Sequence, residues 1–121
     1  MSSFKNLLVW QKANALEREI DAIASRIRRR HPRLADQLER AAESITAAIA
    51  EGRGRSTDRD FAHYVSIAIG SASELENWVQ RAFDKRLISE EEHVRLTLNT
   101  IEVRKMLIGL RNRLLGGNER A

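Results

Sequence analysis

Arginines are concentrated in two short stretches of the sequence, and these residues are the first candidates for chemistry. The stretch RIRRRHPR at residues 26–33 contains Arg28, Arg29, Arg30 and Arg33, and six of its eight positions are basic. Guanidinium groups bind phosphate oxygens through paired hydrogen bonds and displace counterions, which gives strong salt dependence and little base specificity. This stretch therefore predicts a polyanion-binding surface. A solvated or salt-bridged helix end is the alternative.

The second stretch, AIAEGRGRSTDRDF at residues 48–61, supplies Arg53, Arg55 and Arg59. These three arginines are further candidate phosphate contacts. Cations just past the end of a helix also stabilise its unpaired carbonyl groups, and glycines commonly end helices. We therefore interpret the stretch first as a corner between two helices and second as a phosphate contact.

The elements that position these arginines are predicted to be helices, because apolar residues recur at steps of three and four and the chain has only one proline. Pro32 ends one helix and opens the next. Thr57, and Ser89 with Glu92, predict the N-terminal caps of two others. The predicted helices cover about residues 7–29, 33–52, 57–86 and 89–115, followed by a frayed tail at 116–121.

Four helices with short connections predict an all-α fold, a single-domain antiparallel four-helix bundle with up-down-up-down topology. Helices of twenty-odd residues separate the two ends of such a bundle by about 30 Å. The arginines of residues 26–33 and those of residues 48–61 belong to opposite ends. The two groups therefore predict two separate surfaces rather than one site.

Two acid-x-x-His spacings could supply metal ligands, because four-helix bundles can hold di-iron sites through Glu-x-x-His motifs. Glu90 and His93 form one spacing, and Asp60 and His63 form a looser second one. They begin helices at opposite ends of the bundle, so one dinuclear centre cannot use both. The sequence shows no phosphate-binding glycine loop, Ser/His/Asp arrangement or cofactor fingerprint. We therefore expect a non-enzyme without catalytic residues, cofactor or metal.

Composition adds a modest basic excess to this picture. The 121 residues carry 21 Lys and Arg against 17 Asp and Glu, a formal charge of +4, which can favour nucleic acid. The chain has no cysteine, and no stretch has the features of a signal peptide or a membrane span. A cytoplasmic protein with no membrane association is expected. Trp10 and Trp78 are interpreted as packing groups rather than platforms for base stacking.

The fourth helix carries two apolar stripes, one more than a single core needs. One stripe contains Val94, Leu98, Ile101 and Ile108, and the other contains Leu96, Val103, Leu107, Leu110 and Leu114. Extensive apolar patches usually mark protein contacts, so we predict self-association; helices simply wrapped by their neighbours are the alternative. Glu74 is interpreted either as a partner for an arginine of a neighbouring subunit or as a solvated side chain. The predicted oligomer interface consists of Tyr64, Ile67, Glu74, Trp78, Leu96, Val103 and Leu107.

Four short stretches of the sequence resemble one protein family. They are FKNLLVWQKA at 4–13, AIAEGRGR at 48–55, GSASELE at 70–76 and LISEEEH at 87–93. Together they resemble the bacterial four-helix-bundle proteins associated with intervening sequences of 23S ribosomal RNA genes, also labelled S23 ribosomal proteins. The resemblance implies a ring-shaped homopentamer. The fold is also similar to that of the accessory protein of diversity-generating retroelement reverse transcriptases, a basic pentamer.

These observations lead to one expected function and one alternative. We expect a homo-oligomeric, nucleic-acid-associated binding module that contacts structured RNA through the basic ends of the bundle. The alternative is a protein-interaction adaptor, for example an accessory subunit of a retroelement reverse transcriptase. An RNA binder loses affinity steeply with salt, whereas an adaptor retains its partner through apolar surface.

Overall fold

Four long helices account for most of the structure, which is a computed structural model that describes residues 3–116. Their bounds are α1 (Leu8–Ile27), α2 (Pro32–Arg53), α3 (Asp58–Asp84) and α4 (Glu90–Gly116). Each bound lies within two residues of its prediction. A short 3-10 turn at Phe4–Asn6, which was not predicted, precedes α1. The predicted tail begins at Gly116, which belongs to α4, and its remaining residues, 117–121, lie outside the described part of the chain.

The helices pack as a bundle in which sequence neighbours are also neighbours in space. α2 and α3 pack extensively on their neighbours, and α1 closes the bundle with a smaller contact to α4. The all-α four-helix bundle is therefore confirmed. None of the helices within residues 3–116 is both long and apolar enough to cross a membrane.

Local sequence chemistry ends and starts the helices where it was predicted to. Pro32 is the first residue of α2. The Thr57 side chain accepts a hydrogen bond from the Asp60 backbone N–H at 3.1 Å and caps α3. At the start of α4, the Glu92 N–H donates to Ser89 Oγ at 3.1 Å, and the Ser89 N–H donates to Glu92 Oε1 at 2.9 Å. This reciprocal pair is the predicted capping box.

The core is built from the apolar faces predicted for the first three helices. Each buried Leu, Ile, Val or Phe side chain stabilises the fold by about 1.5–3 kcal/mol relative to exposure. The buried face residues of α1, α2 and α3 include Val9, Ala13, Leu16, Ile20, Ile23, Ile27, Leu34, Leu38, Ala41, Ile45, Ile49, Phe61, Val65, Ala68, Ala72, Leu75, Val79 and Ala82.

The prediction for α4 requires a correction. Leu96, Val103 and Leu107 were assigned to a contact with a partner subunit, but their exposed fractions are 1%, 1% and 0%. They pack in the core of their own chain together with Thr100, whose hydroxyl donates to the Leu96 carbonyl at 2.7 Å. The assignment of these three leucine and valine residues to the interface is therefore wrong. The other stripe points outward, with Val94 49% and Leu98 60% exposed.

Charged pairs between helices hold α4 in this rotation. Arg95 Nε donates to Glu19 of α1 at 2.9 Å, and Arg104 donates to Glu76 of α3 at 2.6 Å. Because these pairs flank the Leu96 stripe on two sides, turning the Leu98 stripe inward would break both. Polar contacts on both flanks of the Leu96 stripe therefore help to stabilise this rotation of α4.

Candidate nucleic-acid interface

The corner between α1 and α2 carries the arginines of the first basic stretch, and two of that stretch are held by acidic partners. Arg28 binds Asp36 and Glu39 of α2, each at 2.5 Å. Hydrogen bonds to these two carboxylates raise the pKa of Arg28 above its ordinary value. Arg28 thus ties the corner to α2, and its charge is largely offset by these partners.

Arg26 is the second arginine held in place, and its partner belongs to α4. Its two terminal nitrogens donate to the two carboxylate oxygens of Glu92 at 2.8 and 2.9 Å. The Arg26 hydrogen bond, with the bond from the Ser89 backbone, lowers the pKa of Glu92 to about 2. The bidentate pair therefore joins α1 to the capping box of α4 and removes Arg26 from the set of available cations.

Three arginines of the same corner are available. Arg29, Arg30 and Arg33 are exposed, and none forms an ion pair or side-chain hydrogen bond with any of residues 3–116. They belong to the turn after α1 and to the first turn of α2. Three closely spaced cations without acidic partners form a surface that can bind phosphate groups.

A cleft beside this corner brings in two cations that the sequence interpretation missed. The cleft has a volume of about 500 Å³. Arg81 of α3 and Lys85, the residue directly after α3, line it next to Arg30 and Arg33 of the corner. Arg81 also makes a 3.4 Å contact with Asp84. The signal was available in the topology, because the C-terminus of α3 and the α1–α2 corner share one end of the bundle. Neither Arg81 nor Lys85 belongs to a basic stretch of the sequence, so the clustering of arginines did not identify these two residues.

At the opposite end of the bundle, the second basic stretch is mainly a corner. Arg55 donates to the Tyr64 hydroxyl, lies 4.8 Å from the centre of the Tyr64 ring, and pairs with Glu51 at 3.1 Å. The hydrogen bond to Tyr64 is the main cause of its raised pKa. Arg53 is the last residue of α2 and is partly buried, whereas Arg59 is exposed in the first turn of α3. Contacts within the chain thus position Arg55.

Four residues of the predicted oligomer interface lie at or near the surface. Ile67 is 42% exposed, and Glu74 is exposed with no ion pair to any other described residue. Tyr64 and Trp78 are partly buried. All four lie on α3, outside the core of the bundle, and their contact with a second copy of the chain stays a prediction.

The two acid-x-x-His pairs lie apart in the structure. Glu90 is exposed at the start of α4, while the His93 ring stacks on Phe83 with 4.2 Å between ring centres and is 3.1 Å from Gln80 Oε1. Asp60 lies at the other end of the bundle, in the first turn of α3. Within residues 3–116, no cluster of three or more His, Cys, Asp or Glu has an arrangement that could hold a metal ion.

Comparisons with known proteins agree with the resemblance seen in the sequence. One solved structure, that of a protein of unknown function from the S23 ribosomal protein family of Bacteroides thetaiotaomicron VPI-5482, has a TM-score of 0.81 and 23% identity. The match covers 86% of this chain and 98% of the other, and it shows a shared fold. The chain has no match among curated proteins. Residues 5–109 match the family described as 23S rRNA-intervening sequence protein, and the chain therefore belongs to that family.

Proposed function

We propose that this protein is a cytoplasmic, non-catalytic binding module that contacts structured RNA through the α1–α2 corner and acts as a homo-oligomer. The observation that carries the proposal is the group of exposed arginines, Arg29, Arg30 and Arg33, which have no acidic partner among residues 3–116. Arg81 of α3 and Lys85, which follows α3, extend the same basic surface. We refer to these five residues as the basic corner.

The uneven pairing of charges supports an assignment to this end of the bundle. A guanidinium that is already bound to carboxylates, as Arg28 is, gains little from a phosphate because it must first lose those hydrogen bonds. When Arg29 and Arg30 bind a phosphate, they lose only bound water and counterions. Binding through such groups depends on counterion release, with log affinity falling by about 0.7–0.9 per neutralised phosphate for each tenfold rise in salt.

The description of the family supports RNA as the polyanion. The family is described as 23S rRNA-intervening sequence protein, and this description supports RNA as the partner. RNA helices present regularly spaced phosphates, and a surface of arginines can bind them without reading sequence. We therefore favour structured RNA over other polyanions as the partner.

The proposal can be tested by fluorescence anisotropy of a labelled RNA stem-loop over a salt series. Arg29→Ala/Arg30→Ala should weaken binding at least about tenfold and reduce the salt slope by about 2, because two phosphate contacts are lost. Arg18→Ala/Arg40→Ala removes the same charge from exposed positions in the middle of α1 and α2 and serves as the control. We expect the control to change affinity by less than about twofold.

Two results would contradict the proposal. The first is an absence of binding even at low salt, and the second is an equal loss of affinity in both double variants, which would indicate attraction to net charge alone. Arg53→Ala/Arg55→Ala reports on the opposite end of the bundle, where we expect a smaller loss because Arg55 is already bound to Tyr64 and Glu51.

A protein-interaction adaptor is the second candidate, and the outward stripe of α4 favours it. Val94 and Leu98 are 49% and 60% exposed, and they lie one helical turn apart on a face without a partner helix in the bundle. An apolar interface of this kind holds its partner at salt concentrations that release RNA. Retention of a protein partner at high salt, without RNA binding at low salt, would favour the adaptor.

A further inference from the structure

The cleft at the basic corner contains an aromatic side chain as well as cations. Trp78 of α3 lines the cleft together with Pro32 of α2, and the same tryptophan packs against the core. The interpretation of Trp78 as a packing group therefore describes only part of its surroundings. Its indole Nε1 is buried and makes no hydrogen bond with any of residues 3–116.

The cations of the cleft come from two helices and the turn before one of them. Arg30 and Arg33 contribute from the α1–α2 corner, and Arg81 and Lys85 contribute from the end of α3. The first turn of α2 also lines the cleft, and its N-cap residue, His31, makes no side-chain hydrogen bond to that turn. The positive end of a 22-residue helix thus adds to the attraction of the cleft for anions.

An aromatic wall surrounded by cations matches the chemistry of a nucleotide. Bases stack on aromatic side chains, and phosphates bind arginine and lysine. The cleft volume of about 500 Å³ falls in the range of small-ligand sites, so it has room for one nucleotide and not for a helix of RNA. A base inside a duplex has both faces covered by its neighbours, and only an unpaired base can offer a face to Trp78.

We propose that this cleft takes a single unpaired nucleotide of a structured RNA, from a bulge, a loop or an end. The base lies against Trp78 and Pro32, and its flanking phosphates contact Arg33 and Lys85. The inference rests on the proposed function and deepens it, because it names the RNA feature that the basic corner selects. Arginines spread over the surface would bind paired and unpaired RNA alike, whereas the cleft discriminates between them.

The chain offers a direct optical test, because it has two tryptophans. Trp10 lies near the start of α1, where its ring contacts Phe4 at 5.2 Å between ring centres. In a Trp10→Phe variant, Trp78 is the sole tryptophan and its fluorescence reports on the cleft. The probes are two end-labelled RNA duplexes that differ by one nucleotide, one fully paired and one with a single-nucleotide bulge.

We expect the bulged RNA to bind about tenfold more tightly than the paired RNA, since stacking of one base on an aromatic side chain has an effect of this size. We also expect the bulged RNA alone to quench Trp78 fluorescence at saturation. Trp78→Leu should remove the preference for the bulge. Circular dichroism checks that the Trp78→Leu variant folds. The fluorescence measurement uses the Trp10→Phe variant, which retains Trp78, so it does not depend on the folding of Trp78→Leu.

The outcomes separate this inference from the proposed function. If both RNAs bind with equal affinity and Trp78 fluorescence is unchanged, the cleft does not take a nucleotide, while RNA binding by the basic corner stands. If neither RNA binds at low salt, the proposed function fails and the inference fails with it. Preferential binding of the bulged RNA without quenching of Trp78 would also overturn the inference, because the base would then lie elsewhere.

Discussion

Gly52 determines how closely α2 and α3 approach each other beside the corner that carries Arg53 and Arg55. A Cβ atom at this position would lie 2.8 Å from Phe61 Cδ1, 2.8 Å from Tyr64 Cβ and 3.2 Å from the Phe61 carbonyl oxygen. Tyr64 Cβ is fixed to the backbone and cannot swing away. The sequence suggested that this glycine ends a helix, but Gly52 lies inside α2, and close packing is the property that requires it.

Gly52→Ala is therefore expected to destabilise the protein by about 1–2 kcal/mol, because the cost of overpacking exceeds the gain in helix propensity. Gly70→Ala is the matched control. Gly70 is exposed inside α3, and a Cβ atom there meets nothing within 4 Å. The control should stabilise the protein by about 0.5–1 kcal/mol. Chemical denaturation measures both, and a Gly52→Ala variant as stable as the unmodified protein would show that the corner can relax.

At the scale of the helices, the start of α4 depends on two interactions that share Glu92. Its carboxylate completes the capping box with Ser89 and binds Arg26 of α1. The Glu92 side chain is 20% exposed, so water screens the pair only partly. The same residue thus sets where α4 begins and how α4 sits against α1.

This sharing predicts a specific dependence of stability on pH. The pKa of Glu92 is lowered from 4.5 to about 2, so its contribution is complete above pH 4.5 and is lost as the pH falls towards 2. Glu92→Gln keeps a capping side chain but removes the ion pair, and it should cost about 1–2 kcal/mol at neutral pH.

The measurement is the difference in free energy of unfolding between the unmodified protein and Glu92→Gln at several pH values. This difference should shrink below pH 4.5 and approach zero near pH 2. Glu90→Gln changes the same charge in the same helical turn. The Glu90 side chain is exposed and forms no hydrogen bond or ion pair with the other described residues, so the difference in free energy of unfolding for this variant should stay small throughout. A pH-independent difference for Glu92→Gln would contradict the assignment.

Much of the helical structure could be predicted because its signals are local. Pro32, Thr57 and the pair Ser89 and Glu92 act within one turn of the residues they cap, so a short stretch of sequence contains the whole signal. The buried stripe of α4 could not be chosen by periodicity, since both stripes recur at helical spacing. The two stripes do differ in chemistry, because charged Lys105 interrupts the outward stripe whereas uncharged Thr100 continues the inward one. This difference in charge was the signal in the sequence that could have identified the buried stripe.

The candidate site was predicted less completely, for a related reason. The basic stretches identified Arg29, Arg30 and Arg33, but which arginines of a stretch are available depends on partners brought in by packing. Arg28 and Arg55 are held by residues up to 11 positions away. Arg81 and Lys85 join the cleft only because antiparallel packing returns α3 to the first corner.

At the scale of the whole molecule, the outward stripe of α4 and the basic corner lie on different surfaces of the bundle. Val94 and Leu98 are exposed along the side of the bundle, whereas Arg29 and Arg30 lie at one end of it. Copies of the chain that pack side by side through the stripe, with their helices parallel from copy to copy, would place their basic corners at the same end of the assembly. Repetition of the corner would then raise affinity for RNA through multivalency, without a new contact in any one chain.

This arrangement leads to a prediction for the oligomer and for RNA binding together. Leu98→Glu should reduce the mass in solution to that of the 13.8 kDa chain, since a buried carboxylate without a partner disfavours the apolar contact. Helical content should not change, because Leu98 is 60% exposed in the single chain. Leu8→Glu is the control, since Leu8 is 59% exposed but lies on α1.

Analytical ultracentrifugation gives the mass, and the anisotropy assay on the same samples gives the affinity. The Leu98→Glu monomer keeps an intact basic corner, so it should still bind the RNA stem-loop, but about 100-fold more weakly because avidity is lost. If the unmodified protein itself sediments as a 13.8 kDa monomer, the prediction of a homo-oligomer is wrong. If Leu98→Glu dissociates the oligomer and leaves RNA affinity unchanged, one corner binds alone, and the stripe serves a purpose other than repeating that corner.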